Sequence, residues 1–244
     1  MNILNSFFLT TIASLSTLLG CIFIFFKFKN IDKVIISSLS FSSGVMISIS
    51  IFDLFFESIK LFNLNYNIFI TIILFLIFFI IGILITMLID KIPTNGNNLY
   101  KVGIVSMIGM MFHNFLEGML TFVTSTIDIN LGITIAFSIA CHNIPEGISI
   151  SIPIYYSTKS KIKAILYCFV SSLTEILGAF ITYLFLYDYI NDVVVAILLS
   201  IICSVMIYIS IFEILKEVKE YKNFKLSFIF FMLGLIFMFI SINN

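Results

Sequence analysis

The chain has only two histidines, and both stand in near-copies of one hexapeptide: His113-Asn114-Phe115-Leu116-Glu117-Gly118 and His142-Asn143-Ile144-Pro145-Glu146-Gly147. On an α-helix, positions i and i+4 lie one above the other and i+1 stands three before i+4. Each H-N-x-x-E turn therefore projects an imidazole, an amide and a carboxylate toward one side. Glu175, in Ser172-Leu173-Thr174-Glu175, is a third acid in an otherwise apolar stretch. All three acids fall within runs apolar enough to cross a bilayer, at similar depth. An ionised acid there costs about 2.5–3.5 kcal/mol on insertion scales, and several at one depth repel one another unless protonated or neutralised. A divalent metal held by Glu117, Glu146 and Glu175, with imidazole nitrogens and the oxygens of Asn114 and Asn143 completing the shell, resolves the conflict. Metal binding should then release protons.

Ligand chemistry narrows the metal. Imidazole with carboxylate and amide oxygen suits Zn, Fe(II), Mn and Co, whereas Cu(I) wants a thiolate or thioether cluster that the sequence lacks. Mg and Ca prefer all-oxygen sites. These residues do not separate zinc from ferrous iron. A single His or Asn in a membrane helix is often hydrogen-bonding glue between helices, but that role does not explain a duplicated motif with a third acid at its depth. Met107, Met110 and Met111, ahead of His113, read as packing rather than a soft-metal path. Pro145 removes the hydrogen bond to the Cys141 carbonyl and kinks its helix, freeing an oxygen beside the site. A second class of function could use the same groups: an intramembrane metalloenzyme, such as a hydrolase with a metal-activated water. Its usual H-E-x-x-H pattern is absent, and no obvious general base remains beyond the ligands.

Long apolar helices must hold these side chains. Of 244 residues, 61% are hydrophobic and 11% charged, with no Trp and a mean hydropathy of +1.18; a soluble domain carries about 25% charged residues. A membrane-crossing helix needs about 20 apolar residues, and eight such runs stand between polar breaks, at roughly 3–26, 34–59, 67–89, 102–124, 131–156, 164–187, 193–215 and 226–242. The expected fold is an all-α integral membrane protein forming one transmembrane domain over 1–244. The longest connection, Asp90 to Lys101, contains Pro93, Gly96 and three asparagines, as a solvated turn should. Cys21, Cys141, Cys168 and Cys203 stand singly in apolar runs, which indicates buried small residues rather than a disulfide framework. The N-terminus lacks the basic region of a cleavable signal, so residues 1–27 are expected to be a retained first span. A net charge of zero gives no sign of a nucleic-acid partner.

Charge position gives more than charge total. Lys27, Lys29 and Lys33 follow span 1; Lys91 and Lys101 follow span 3; Lys159, Lys161 and Lys163 follow span 5; Lys216, Lys219, Lys222 and Lys225 follow span 7. Only Lys60 falls on the other side. Lysine is retained on the cytoplasmic face, so both termini are expected outside the cytoplasm, in a multi-pass protein of the cell membrane. Val45–Phe52 and Val205–Phe212 are identical but for Ser48 against Tyr208, and the likeness extends to Glu57 and Glu217. These stretches lie in spans of opposite direction, the signature of an inverted repeat. Spans 1–3 would then mirror spans 6–8 around the central pair 4–5, with Asp53 and Glu213 toward opposite ends of a path.

With the paired H-N-x-x-E-G motifs, Thr121-Phe122-Val123-Thr124 and the Ser-x-x-Glu-x-x-Gly-Ala pattern ending at Ala179, the chain resembles the Zrt/Irt-like (ZIP) family of divalent-metal transporters, most closely its bacterial ZupT-like branch. The resemblance implies a secondary transporter that brings zinc, ferrous iron and related ions such as Mn, Co or Cd into the cytoplasm. It implies a two-metal site, spans 2, 4, 5 and 7 as the path, proton coupling and no catalytic cofactor. By motif, one metal would take His113, Glu117, His142 and Glu146, and the second Asn114, Glu117, Asn143, Glu146 and Glu175. Asp53, Glu57 and Glu213 would line the path. The partners expected are divalent ions and the lipid bilayer, with a homodimer left open. The chain departs from the family at Leu116, where the span 4 motif usually has Pro. It departs again at Phe56 and Lys216, where prolines usually follow the acids, and at Phe212, which replaces the acid before Glu213. No histidine stands in the 90–101 connection, so a metal-sensing loop is not expected there.

Overall fold

The computed structural model describes residues 3–91, 96–186, 189 and 191–243; Pro93 and Tyr187 lie outside them. Among the described residues there is no strand, and the chain forms eight long helical segments. These are α1 (Ile3–Phe25), α2 (Ile31–Asn65), α3 (Ile68–Asp90), α4 (Asn98–Ile127), α5 (Ile129–Thr158), α6 (Lys161–Phe185), α7 (Asp192–Glu220) and α8 (Phe224–Asn243). Starts are set locally. The side chains of Asn30, Asn67, Asn97, Asp128, Ser160, Asn191 and Asn223 each accept from a backbone N–H two or three residues on, which satisfies donors that a helix leaves unpaired at its N-terminus. Those caps carry α2, α4 and α7 beyond the apolar runs of the sequence.

All but α5 are long and apolar enough to cross a membrane. The exception follows from position, because α5 packs against α1, α2, α4 and α6 and buries Ala136, His142, Asn143, Glu146 and the serines after them. A helix surrounded by protein does not need an apolar perimeter. At the other extreme, α3 and α8 present Phe69, Leu88, Phe224 and Phe228 outward, each more than half exposed, as lipid-facing helices should. The protein is an all-α, multi-pass integral membrane protein.

The packing has the form of an inverted repeat. Helix α2 packs on α8 as α7 packs on α3, and α1 packs on α5 as α6 packs on α4. Single bonds obey the same exchange. Ser43 Oγ donates to the Ser210 carbonyl at 3.2 Å, and Cys203 Sγ donates to the Ser50 carbonyl at 3.2 Å; a step of 160 positions takes 43 to 203 and 50 to 210. Both α2 and α7 widen into a π-helical stretch at matching places, Ser50–Phe55 and Ile209–Leu215, and these hold Asp53 and Glu213. A π turn inserts a residue into the α ladder and re-aims the side chains beyond it, often at functional positions.

Candidate metal centre

The two motif turns face each other where α4 and α5 cross. His113 Nε2 lies 3.1 Å from Glu117 Oε1 on its own helix and 3.3 Å from Glu146 Oε1 on the other, while His142 Nε2 lies 2.6 Å from Glu117 Oε1. The imidazole centroids are 6.0 Å apart. His113, His142 and Glu146 each offer one ligand atom, all within 4.8 Å of one another. Around zinc, with bonds of about 2.0–2.1 Å, tetrahedral donors stand about 3.4 Å apart, so a small contraction of these side chains would close a shell. His113, Asn114, Glu117, His142, Asn143, Glu146 and Glu175 are all buried.

The backbone of flanking helices aims the amides. Asn114 Nδ2 donates to the Ser171 carbonyl of α6 at 3.3 Å, and Asn143 Nδ2 donates to the Ala13 carbonyl of α1 at 3.0 Å and to Glu175 Oε2 at 3.0 Å. With their nitrogens committed, the oxygens of Asn114 and Asn143 have no hydrogen-bond partner. Neither do Glu117 Oε2, Glu175 Oε1 or Glu146 Oε2, and Glu146 Oε1 has only the 3.3 Å approach of His113 Nε2. A buried polar atom left unpaired costs about 1–3 kcal/mol. A concentration of such oxygens beside two imidazoles is what a cation-binding cavity requires, since a cation would satisfy them together.

Helix contact without side chains brings Glu175 in. A Cβ on Gly118 would collide with the Glu175 carbonyl, and one on Gly178 with the Phe115 carbonyl. The glycines at these two positions therefore let α4 and α6 approach backbone to backbone. Helix α4 runs from Asn98 to Ile127 with Leu116 where α5 has Pro145, and it still presents His113, Asn114 and Glu117 to the centre. The Pro145 carbonyl accepts from Ser42 Oγ at 2.7 Å, which ties α5 to α2.

The other expected path residues divide. Asp53 is half-buried and lies within electrostatic range of His142, Glu57 and Glu117. Glu213 is 5% exposed, near the opposite end. Glu57 is not brought into the cluster: its side chain is 41% exposed and pairs with Lys60 at 2.9 Å. Two further residues lie near Glu213 without belonging to any motif. Asp90 at the end of α3 is an electrostatic neighbour of Glu213, and Lys101 of α4 forms an ion pair with Asp90. In the sequence Lys101 marks only sidedness. The available signal was an acid ending an unbroken apolar run.

Fold and site together define an integral membrane protein with an inverted repeat around a buried cluster of metal-ligand groups. Comparison with known proteins gives the family. A family model described as ZIP Zinc transporter matches residues 94–242. The zinc transporter ZupT of Clostridium perfringens is 34% identical over 99% of this chain and 96% of its own length. Those of Streptococcus mutans, over 99% and 97%, and Campylobacter jejuni, over 96% and 94%, are also 34% identical. The chain belongs to the ZIP family and is ZupT-like. It is a divalent-metal transporter of the membrane, not an enzyme.

Proposed function

We propose that the chain imports zinc, and with it ferrous iron and similar divalent ions, into the cytoplasm through a two-metal centre, working as one transporter domain over its whole length. The observation that carries this reading is the set of unpartnered oxygens of Asn114, Asn143, Glu117, Glu146 and Glu175 beside two imidazoles in a buried site. One ion would take His113, Glu117, His142 and Glu146; the other would take Asn114, Asn143 and Glu175, with Glu117 and Glu146 shared. The names of the relatives support zinc as cargo. The donor set suits ferrous iron equally well.

Asp53 and Glu213, in matching π turns at opposite ends, are the entrance and exit acids of the proposed path. The lysine-rich end is cytoplasmic by the retention of positive charge, so both termini are outside. Ligands must shed protons to take a metal, and that exchange supplies the coupling to protons. The test is uptake of radiolabelled zinc and iron by proteoliposomes carrying wild-type or Glu146→Ala protein. Uptake of zinc by wild type and its loss in Glu146→Ala are expected; equal uptake by both would overturn the centre. Proton release on adding zinc to purified protein tests the exchange separately.

A further inference from the structure

Of the acids at the centre, only Glu175 comes from outside the paired helices, and the inverted repeat gives it a counterpart in α1. Three exchanged pairs of contacts fix the correspondence. The Ser171 carbonyl takes the Asn114 amide and the Ala13 carbonyl takes that of Asn143. Gly118 abuts the Glu175 carbonyl and Gly147 that of Thr17, while Gly178 abuts Phe115 and Gly20 abuts Ile144. Each exchange moves 158 positions between α1 and α6 (13 to 171, 17 to 175, 20 to 178). The sequences agree: Ser14-Leu15-Ser16-Thr17-Leu18-Leu19-Gly20 stands against Ser172-Leu173-Thr174-Glu175-Ile176-Leu177-Gly178. Ser14 Oγ even donates to the carbonyl of its own counterpart, Ser172, at 2.6 Å.

Thr17 therefore occupies the position of Glu175. Its Oγ1 is fully buried and has no hydrogen-bond partner, a state it shares with Thr71, Thr121 and Thr182, whereas Thr10, Thr86 and Thr124 bond the carbonyl four residues back; what sets Thr17 apart is its place opposite Glu175 in the repeat. The two motif amides carry the same asymmetry. Asn143 Nδ2 reaches both a backbone carbonyl and the Glu175 carboxylate, while Asn114 Nδ2 has the Ser171 carbonyl alone. Helix α1 also changes at this residue from α winding to the tighter 3₁₀ winding of Thr17–Phe25.

We propose that Thr17 is a neutral oxygen donor to the second metal position, across from Glu175, and that a hydroxyl where the repeat has a carboxylate sets how firmly the centre holds a cation. The proposal rests on the metal-centre reading above. Two divalent ions bring four positive charges; Glu117, Glu146 and Glu175 return three. A fourth acid at position 17 would neutralise the pair and hold it, whereas conduction needs a site weak enough to leave.

The test is equilibrium zinc binding to purified full-length protein, with uptake by proteoliposomes, for wild type, Thr17→Val, Thr17→Ser, Thr17→Glu and Glu146→Ala. Thr17→Val keeps shape and loses the oxygen. It should bind zinc about tenfold more weakly, while Thr17→Ser stays near wild type and Thr17→Glu binds more tightly but transports more slowly. If the hydroxyl only packs, its removal leaves Thr17→Val at least as heat-stable as wild type, because no hydrogen bond is lost, with unchanged zinc affinity; that result overturns the proposal. Thr17→Glu that binds and transports like wild type overturns it too. Wild-type binding by Glu146→Ala would instead overturn the metal centre itself, so the two failures are separable.

Discussion

Replacing Asn143 with Asp tests the geometry of the centre through its charge. The wild-type Nδ2 lies 3.0 Å from Glu175 Oε2 and 3.0 Å from the Ala13 carbonyl. The new carboxylate would set an oxygen against both. Two unit charges about 3 Å apart repel by about 5 kcal/mol at an effective dielectric near 20, and the lost bond to Ala13 adds about 1 kcal/mol. For a chain of this size about 2–4 °C of melting temperature corresponds to 1 kcal/mol, so the ceiling on the metal-free drop is about 12–24 °C. A divalent ion between the carboxylates reverses the sign, and zinc should restore most of the loss. Asn143→Ala is the control: it forfeits two hydrogen bonds, about 2–4 kcal/mol together, adds no charge, and should gain less from zinc than Asn143→Asp. The assay is thermal unfolding in detergent, followed by far-ultraviolet circular dichroism with and without zinc. Equal melting of the two variants, with equal zinc shifts, would refute the placement of this amide against Glu175 and of a cation beside them.

At the helix crossing, Gly118→Val should force α4 and α6 apart, because the new Cβ meets the Glu175 carbonyl. Overpacking of this kind costs about 1–3 kcal/mol, and zinc binding should fall in protein that still elutes as a single species; Gly103→Ala, whose Cβ meets chiefly the side chain of Ile154, should bind normally. At the lysine-rich end, Lys101→Met removes the cation paired with Asp90 and leaves Asp90 and Glu213 with Lys216 as their nearby positive charge. The pair is partly exposed, so stability should fall by about 1 kcal/mol or less. Added divalent cation should recover the loss in Lys101→Met but not in Lys101→Met/Glu213→Gln, as measured by melting temperature.

The local parts of this architecture were legible in the residues. Apolar run length gave the membrane-crossing helices, and Asn30, Asn67, Asn97 and Asn191 stand where caps begin them. The H-N-x-x-E spacing put each His and Glu on one side of its helix because the α period does so wherever the turn is placed. Val45–Phe52 against Val205–Phe212 disclosed one arm of the repeat. The other arm, Ser14–Gly20 against Ser172–Gly178, is hidden in the sequence because four identities in seven small and apolar residues do not stand out in a chain of this composition. Its meaning rests on which carbonyls Asn114 and Asn143 touch.

The sequence by itself determined residue chemistry and everything periodic: membrane class, helix count, and an imidazole, an amide and a carboxylate on one turn of each central helix. Tertiary structure decided what those groups meet. Glu57 and Asp53 are one turn apart, yet Glu57 turns to Lys60 while Asp53 lies within electrostatic range of His142 and Glu117. Asp90, Lys101 and Glu213 come from three helices, and no spacing along the chain relates them. Periodicity fixes direction within a helix, whereas distances between helices depend on where glycine lets backbones touch. In this protein Gly118 and Gly178 bring α6 close enough for Glu175 to reach the Asn143 amide.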